Sequence, residues 1–357
     1  MLEKMVKPLL AWYEKNKRIL PWREDPSPYH VWVSEIMLQQ TRVEAVKGYY
    51  ARFLAELPDI RALAEVPEEK LLKLWEGLGY YNRARNLQKA AQMIMREYGG
   101  SMPSAYEALL KLPGIGAYTA GAVASIAFGQ PVAAVDGNVL RVTARFLADG
   151  TDISDEALKV RRKAELERIM PEQRAGIFNQ ALMDLGAMVC LPNGVPKCGN
   201  CPLKRNCMAM AEGRVEELPC KAPRAKRRIE EKTVFVLQYQ DKVLLHKRPA
   251  KGLLAGLYEL PSAAGRLSEK EALAYVEELG FSPLHIEPLP ESRHIFTHLE
   301  WRMCGYLVRA DELAQPAGAV PETYRLETPG TVDRNYPIPS AFAAYAPYIR
   351  KKAGTKE

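Results

Sequence analysis

Two carboxylates in unlike surroundings have the residue types needed for acid–base chemistry. Glu35 lies in the apolar segment VWVSEIML, which should raise its pKa so that the group holds a proton near neutral pH. Asp136 precedes the segment GNVLRVTARFL, a predicted helix whose free amides and dipole favour an ionised carboxylate at its start. Such a pair suits cleavage of a glycosidic bond through an oxocarbenium-like state. The alternatives are a solvated helix face for Glu35 and a simple helix cap for Asp136.

The segment before Asp136 predicts two helices joined by a tight turn. Ser104–Lys111 is expected to form a short helix, because its first and fourth residues have capping-box spacing. Gly114 and Gly116 then allow a sharp bend and a close approach to another molecule. Ala117–Phe128 is Ala-rich and predicts the second helix, whose first amides are suited to an anion such as a DNA phosphate. The alternative is an ordinary turn between two core helices.

The N-terminal part of the chain is also predicted to be helical. Residues 1–18 carry charges every few positions, which indicates an amphipathic helix and not a signal peptide. Residues 19–23 (ILPWR) are expected to end it. Residues 30–57 predict one long helical stretch that carries Glu35.

Length, charge and cysteine content limit the class of protein. A chain of 357 residues, 47% hydrophobic, predicts about two domains with proper cores. No stretch approaches the roughly 20 apolar residues of a membrane span. The net charge of +7 favours a polyanionic partner. Four of the six cysteines fall between positions 190 and 207, which indicates a metal site in a reducing cytoplasm, not a disulfide framework.

A second glycine turn repeats the pattern of the first. Leu71–Tyr80 and Leu109–Tyr118 both contain Leu-Leu-Lys-Leu followed by a Gly-x-Gly turn. Tyr80 stands close to Arg83 and Arg85, so this turn presents an aromatic ring and two cations. Such residues can wedge into a base stack and contact phosphates. The alternative is a capped helix with a solvated basic face.

Several motifs together resemble those of the adenine DNA glycosylases, the MutY family. Ser34–Thr41 reads SEIMLQQT, Leu20–Arg23 reads LPWR and Val135–Asn138 reads VDGN, while the GIG turn resembles the helix-hairpin-helix of the DNA glycosylase superfamily. The resemblance covers residues 2–345. It implies removal of adenine mispaired with 8-oxoguanine or guanine in double-stranded DNA.

The resemblance also implies a role for each catalytic residue. The match to Glu35 donates a proton to adenine N7, and the match to Asp136 stabilises the sugar cation or forms a transient covalent adduct. The match to Asn138 helps orient it, and Tyr118 hydrogen-bonds within the group. Endonuclease III-like relatives have a lysine at the position of Tyr118 for a Schiff base, which tyrosine cannot form. We therefore expect a monofunctional enzyme without efficient lyase activity.

Further residues are assigned to DNA recognition by the same resemblance. The adenine must be flipped out of the duplex to be reached. The residues implied to line its pocket are Leu20, Trp22 and Arg23. Those implied to contact or intercalate into DNA are Gln40, Thr41, Tyr80, Gly114 and Gly116.

The cysteine cluster reads C-x7-C-x2-C-x5-C, formed by Cys190, Cys198, Cys201 and Cys207. The superfamily pattern for a 4Fe–4S cluster has six residues in the first gap, so this chain has one more, in a turn-rich loop that should absorb it. Tetrahedral zinc is the alternative, since four thiolates suit either metal. Lys197, Lys204 and Arg205 of this loop are expected to face DNA phosphates.

The C-terminal part resembles the Nudix-like domain of the same family. A hairpin over residues 233–246, a capped helix over 268–279 and strands near Ile286 and over 301–308 predict an α+β fold. The stretch LAYVEELGF (273–281) lacks the Arg-Glu of a metal-binding Nudix helix, so pyrophosphate hydrolysis is not expected. Phe296-Thr297-His298 matches the loop that reads 8-oxoguanine, usually Phe-Ser-His, with threonine replacing serine.

The predicted fold class is multidomain. We expect an all-α helix-hairpin-helix glycosylase domain with an Fe–S cluster loop (190–207), followed by an α+β Nudix-like domain. The predicted ranges are 1–211 for the catalytic domain, 212–231 for a basic linker, 232–350 for the recognition domain and 351–357 for a disordered tail. A monomer in the bacterial cytoplasm, acting at the nucleoid, is expected. An endonuclease III-like lyase and a non-enzymatic mismatch-binding protein are the alternatives.

Overall fold

The computed structural model describes residues 1–223, 226–313 and 323–351. The chain divides into two compact units. The first contains Met1–Val66 and Asn82–Pro223. The second contains Pro67–Tyr81 and the described residues from position 226 onward. Of the predicted tail, only Lys351 is among the described residues.

Helices precede the sheet along the chain, and most of them form the first unit. In chain order they are α1 (Glu3–Asn16), α2 (Pro21–Glu24), α3 (Pro28–Leu38), α4 (Val43–Glu56), α5 (Ile60–Glu65), α6 (Glu68–Leu74), α7 (Asn82–Glu97), α8 (Tyr106–Leu109), α9 (Ala117–Ile126), α10 (Gly137–Leu147), α11 (Glu156–Glu167), α12 (Ala175–Met188) and α13 (Met208–Ala211). Of these, α6 belongs to the second unit.

The core of the first unit lies where α1, α10 and α12 pack together. Leu9 of α1, Val142 and Phe146 of α10, and Phe178 and Leu182 of α12 are all buried in one apolar cluster. Burial of each such side chain stabilises the fold by roughly 1.5–3 kcal/mol. This cluster fixes the two helices, α10 and α12, on which the site described below depends.

The predicted helix over residues 30–57 is wrong in one respect: it is two helices, α3 and α4. The chain breaks at Gln39–Arg42, where Gln40 has a φ of 58°. The break contains neither glycine nor proline, so the local sequence gives no stop signal. Arg83 of α7 instead binds the carbonyl groups at the end of α3. The helix therefore ends through a tertiary contact.

Two other helix predictions need correction. The helix expected from Ser104 is only Tyr106–Leu109, and its N-cap residue, Ala105, makes no side-chain cap, so the capping box does not form. The ILPWR segment starts a new helical turn at Pro21 after α1 has ended at Asn16. Proline at the first position of α2 is preorganised for that role.

The helix-hairpin-helix itself is confirmed by α8, a glycine turn and α9. Gly114 has a φ of 77°, and a Cβ there would lie 2.7 Å from Cβ of Asn86. Gly116 is the N-cap residue of α9, and its own added Cβ would meet open space. Gly114 is thus required for the turn, whereas no neighbouring group in the described part of the chain packs against Gly116 at the start of α9.

The second unit contains a mixed sheet. Its strands and helices are β1 (Arg228–Tyr239), β2 (Lys242–Lys247), β3 (Tyr258–Glu259), β4 (Ser262–Ala264), α14 (Glu269–Glu278), β5 (Phe281–Ile295), β6 (Leu299–Leu313), β7 (Tyr324–Glu327) and α15 (Pro329–Asn335). The described strands follow the order β3-β2-β1-β6-β5, with β4 paired to β1 and β7 to β2. Only β1 and β6, among these pairs, run parallel.

The predicted α+β elements of this unit are confirmed. The hairpin of β1 and β2 turns at Gln240, and Ser268 caps α14 through a full capping box. β1 begins at Arg228, so the last residues of the predicted linker already belong to the sheet. Apolar clusters cover both faces of the sheet, one against α14 and one against α15 and the C-terminal turns.

The segment 67–81 joins this unit through contacts that the sequence does not show. Lys73 donates to the carbonyl oxygen of Tyr336 over 3.2 Å. Glu76 accepts from the backbone amide of Ile338 over 2.7 Å. These bonds connect α6 and the turn after it to residues that follow by more than two hundred and fifty positions. As a separate finding, the helices in the described part of the chain all lack the length and hydropathy of a membrane span.

Candidate active site

Glu35 is a buried acid held by a tyrosine. Its side chain lies on α3 with 6% of its surface exposed, and the hydroxyl of Tyr118 on α9 donates to Glu35 Oε2 over 2.5 Å. Burial raises the pKa of Glu35 to about 7, against the lowering effect of the Tyr118 hydrogen bond and with support from nearby Asp136. The sequence-based expectation of an acid protonated near neutral pH therefore agrees with the geometry.

The position of Glu35 depends on both ends of α3. Ser27 caps its start by accepting from the amide of His30. At its end, Arg83 Nη1 donates to the carbonyl oxygens of Ile36, Met37 and Gln39 over 2.7–3.0 Å. Arg83 is predicted from the sequence to contact DNA phosphates, and its role at the end of α3 has no local sequence signal. An arginine with several donors is able to satisfy a helix end that no local residue caps.

Asp136 is the N-cap residue of α10, as predicted. It accepts from the amide of Val139 over 2.8 Å and from Nδ2 of Asn138 over 2.7 Å. Burial raises the pKa of Asp136, while the hydrogen bonds from Val139 and Asn138 lower it and favour the ionised form, as the sequence predicts. The rise in the pKa of Glu35 is opposed by the hydrogen bond from Tyr118 and by the charge of Arg23. The two carboxyl groups therefore differ in how strongly hydrogen bonds favour their charged forms.

The segment that precedes Asp136 is held by hydrogen bonds to side chains of α11 and α12. Asn179 is fully buried, accepts from the amide of Ala134 over 3.1 Å and donates to the carbonyl oxygen of Val132 over 2.9 Å. Glu167 accepts from the amide of Ala133 over 3.1 Å. A segment without regular structure is thus fixed by side chains, which satisfy its buried backbone groups.

Asn138 is oriented from its other side by Arg141. Arg141 Nη2 donates to Asn138 Oδ1 over 2.8 Å and to the carbonyl oxygen of Gly186 over 2.9 Å. Since arginine only donates, this bond leaves the amide group of Asn138 facing Asp136. A Cβ on Gly186 would lie 2.6 Å from Cβ of Asn138. Neither Arg141 nor Gly186 is predicted from the sequence, because both act through contacts between α10 and α12.

The predicted adenine-pocket residues share one cavity with the catalytic group. This cavity, called the base cavity below, has a volume of about 190 Å³. The predicted residues that line it are Leu20, Trp22, Arg23, Glu35, Thr41, Tyr118, Asp136 and Asn138. Gln180 and Met183 of α12 also line it. The structure therefore brings the predicted pocket and the predicted catalytic residues together.

A larger open groove of about 760 Å³ passes the same carboxylates. Gln40 and Gly116, both predicted to contact DNA, line it together with Glu35 and Asp136. Three further cations along this groove were not predicted: Lys159, Lys163 and Lys221. A groove with cations along it and a carboxylate pair inside suits a phosphate-bearing polymer.

The four predicted metal ligands surround one small apolar cavity. Cys190, Cys198, Cys201 and Cys207 line it with Arg145. Arg145 Nη1 lies 3.3 Å from Sγ of Cys190. Over the described part of the chain, no three His, Cys, Asp or Glu side chains are arranged to hold a metal ion.

The predicted lesion-reading residues form the turn between β5 and β6. The ring of Phe296 packs edge-on against Trp301, with ring centres 4.9 Å apart, while Thr297 and His298 are exposed. Tyr80 belongs to the same unit, is 49% exposed and has a φ of 49°. Its hydroxyl lies 3.3 Å from Oγ1 of Thr297. Two residues predicted separately for DNA contact are therefore neighbours.

Comparisons with known families agree with the two units. Residues 33–168 match the HhH-GPD superfamily of base excision DNA repair proteins, and residues 233–346 match the NUDIX domain. A thermostable thymine-DNA glycosylase is similar in structure, with a TM-score of 0.54 and 31% identity, over 59% of this chain and 97% of the other. An endonuclease III trapped on DNA has a TM-score of 0.51 and 27% identity, over 60% of this chain and 99% of the other. The predicted fold class is confirmed.

Curated relatives extend the match across both units. The human adenine DNA glycosylase is 38% identical over 352 residues, and the match covers 82% of this chain and 64% of that protein. The mouse adenine DNA glycosylase is 37% identical, over 88% of this chain and 72% of its own length. The adenine DNA glycosylase of Buchnera aphidicola subsp. Baizongia pistaciae (strain Bp) is 36% identical, and the match covers 82% of each protein. This chain therefore belongs to the adenine DNA glycosylase family.

Proposed function

We propose that this chain removes adenine from double-stranded DNA where adenine is mispaired with 8-oxoguanine or guanine. The observation that carries the proposal is the carboxylate pair: Glu35 accepts from Tyr118, Asp136 accepts from Asn138, and both line one base-sized cavity. An uncharged acid and a hydrogen-bonded carboxylate are what hydrolysis of an N-glycosidic bond requires.

In the proposed reaction the adenine is flipped into the base cavity, and Glu35 protonates N7. Protonation makes the base a better leaving group, and a pKa of about 7 suits a general acid at neutral pH. Asp136 faces the sugar, where it stabilises the oxocarbenium ion or forms a transient covalent adduct. Asn138 holds Asp136 in place, and water completes the hydrolysis.

The enzyme is proposed to be monofunctional. Tyr118 occupies the position where a strand-cleaving relative needs a lysine, and its hydroxyl is already bonded to Glu35. A lyase step needs an amine that attacks the sugar and forms a Schiff base. None of the described residues that line the base cavity is a lysine. We expect an intact abasic strand as the product.

Phe296, Thr297 and His298 are proposed to recognise 8-oxoguanine. The hydroxyl of Thr297 is exposed at a turn whose shape is fixed by the packed ring of Phe296. The hydroxyl of Thr297 is hydrogen-bonded to the hydroxyl of Tyr80. The polar edge of a lesion base can take the place of Tyr80 as the partner in this bond. Tyr80 and Gln40 are proposed to occupy the space in the base stack that flipping leaves.

The four cysteines are proposed to hold a 4Fe–4S cluster. They fit such a group because all four line one cavity, and thiolates are the ligands of an iron–sulfur cluster. The bound cluster would fix the loop that carries Lys197, Lys204 and Arg205. A brown protein that contains iron, and not zinc, is the expected result of metal analysis.

We also propose that the protein is a monomer that acts at the nucleoid in the bacterial cytoplasm.

The deciding experiment is single-turnover adenine release from duplexes with adenine opposite 8-oxoguanine or opposite cytosine. We expect release only from the lesion duplex, no release by Asp136→Asn, and strand breakage only after alkali. Lesion-selective binding without release by the wild type would indicate a mismatch-binding protein. Strand breakage without alkali would indicate a lyase and contradict the role given to Tyr118.

A further inference from the structure

The base cavity contains a cation that opposes the protonation of Glu35. Arg23 of α2 lines this cavity together with Glu35. A guanidinium near a carboxyl group favours its ionised form, and Arg23 has this lowering effect on the pKa of Glu35. An enzyme that needs Glu35 protonated must therefore compensate for the charge of Arg23.

Asp184 of α12 binds the guanidinium of Arg23. Its side chain is fully buried and accepts from both terminal nitrogens of Arg23, over 2.8 and 2.9 Å. It also accepts from Nε of Arg18 over 2.7 Å and from the backbone amide of Arg18 over 3.2 Å. These bonds hold the pKa of Asp184 below its usual range, so its charge persists at neutral pH. The carboxylate fixes two arginines at once.

The remaining charged or titratable groups around Glu35 do not replace Asp184 in this role. By element they are Tyr50 of α4, Arg83 of α7, Tyr118 of α9, Asp136 at the start of α10, and Lys159 and Lys163 of α11. Arg83 donates to the carbonyl groups that end α3. Lys159 and Lys163 pair with Glu156 and Glu167 on their own helix. None of these contacts touches the guanidinium of Arg23. The ring of Tyr13 of α1 does lie over it, 5.8 Å from the guanidinium carbon, but it carries no charge that offsets Arg23, because burial raises the pKa of Tyr13.

We propose that Asp184 is a positioning residue that fixes Arg23 in the wall of the base cavity and offsets its charge, so that Glu35 keeps the proton it donates. The proposal rests on the proposed function, because it concerns the acid of that reaction. It predicts that removal of the Asp184 charge makes Glu35 a stronger acid that loses its proton at lower pH.

The direct test is a titration of the Glu35 carboxyl carbon by ¹³C NMR in the full chain without DNA. The Glu35→Gln variant identifies the signal. In Asp184→Asn we expect the pKa of Glu35 to fall by about one unit, the low end of the effect of a nearby opposite charge. The double variant Arg23→Gln with Asp184→Asn removes the uncompensated cation and should return the pKa toward the wild-type value. Asp184→Glu keeps the charge and should preserve it.

The matching kinetic test is the pH profile of single-turnover adenine release. Activity needs protonated Glu35, so the rate falls as pH rises through its pKa. In Asp184→Asn this alkaline limb should move down by the same unit, which lowers the rate about tenfold above it. Asp149→Asn is the control, because Asp149 also pairs with two arginines, Arg161 and Arg162, but does not line the base cavity. That control should leave the limb unchanged.

Several outcomes would overturn the proposal. An unchanged pKa of Glu35 in a folded Asp184→Asn chain would do so, as would a rate that drops equally at every pH. If Asp184→Asn does not fold, Arg23→Gln alone decides: its Glu35 pKa must rise, and an unchanged value contradicts the proposal. A wild type that shows the NMR behaviour but releases no adenine would reject the proposed function while leaving the charge compensation standing.

Discussion

The base cavity and the β5–β6 turn show two ways of preparing polar groups for a ligand. In the cavity, Glu35 is buried and Asp136 is half-buried, and both are already bonded to protein partners. At the turn, Thr297 and His298 are exposed, and only Phe296 is packed. Reaction chemistry needs fixed groups in a dry site, because their charges then act at full strength. Reading a base edge needs groups that can exchange one partner for another.

This comparison predicts that cavity substitutions change rates and turn substitutions change discrimination. The largest effect is expected for Glu35→Gln, which removes the proton donor and keeps the shape. Single-turnover release should fall by about 10²–10⁴-fold, the range for loss of a general acid. The remaining rate should no longer decline as pH rises through about 7, the pKa of Glu35. A variant that keeps the wild-type pH limb would show that another group supplies the proton.

The second largest effect is expected for Gly186→Ala, because the new Cβ would meet Asn138 at 2.6 Å. Overpacking of this kind costs about 1–3 kcal/mol of folding free energy, and here it also displaces the residue that orients Asp136. Thermal unfolding and single-turnover rates measure both effects. Gly150→Ala is the matched control, since its added Cβ meets nothing within 4 Å. Equal behaviour of the two variants would refute the close contact.

A smaller effect is expected at the turn. Thr297→Ala removes a hydroxyl whose net contribution is about 0.5–1.5 kcal/mol, so the preference for 8-oxoguanine over guanine should fall by roughly 2- to 13-fold. The rate at saturating enzyme on the lesion duplex should stay close to wild type. Thr297→Ser is the control that keeps the hydroxyl. An alanine variant with full preference would remove Thr297 from the reading group.

The smallest effect is expected for the groove cations. Lys221→Gln should weaken binding to every duplex alike and reduce the slope of log affinity against log salt by about 0.9, one phosphate contact. Lys221 lines the groove but not the base cavity. Affinity measured at several salt concentrations, with matched and lesion duplexes, tests this. A loss confined to the lesion duplex would contradict a phosphate role.

Local patterns indicated the candidate catalytic residues because the features that single them out are encoded close by in sequence. Asp136 caps the helix that starts at the next residue, and the cysteines follow one another at short spacing. The residues that hold Glu35 and Asp136 in place could not be predicted from local sequence patterns. Asn179 and Asp184 look like ordinary polar positions of a helix, and their importance appears only when α12 packs behind the site. The break after α3 was missed for the same reason, since its cap is Arg83.

These long-range partners set an order of events during synthesis. The end of α3 is bound by a residue 44 to 47 positions later in the chain, and the segment before Asp136 by one 45 to 47 positions later. Contacts this distant in sequence form late, after the chain between them has closed into a loop. A nascent chain on the ribosome therefore carries both carboxylates long before they are aligned. The growing polypeptide gains its finished carboxylate pair only once α12 has emerged.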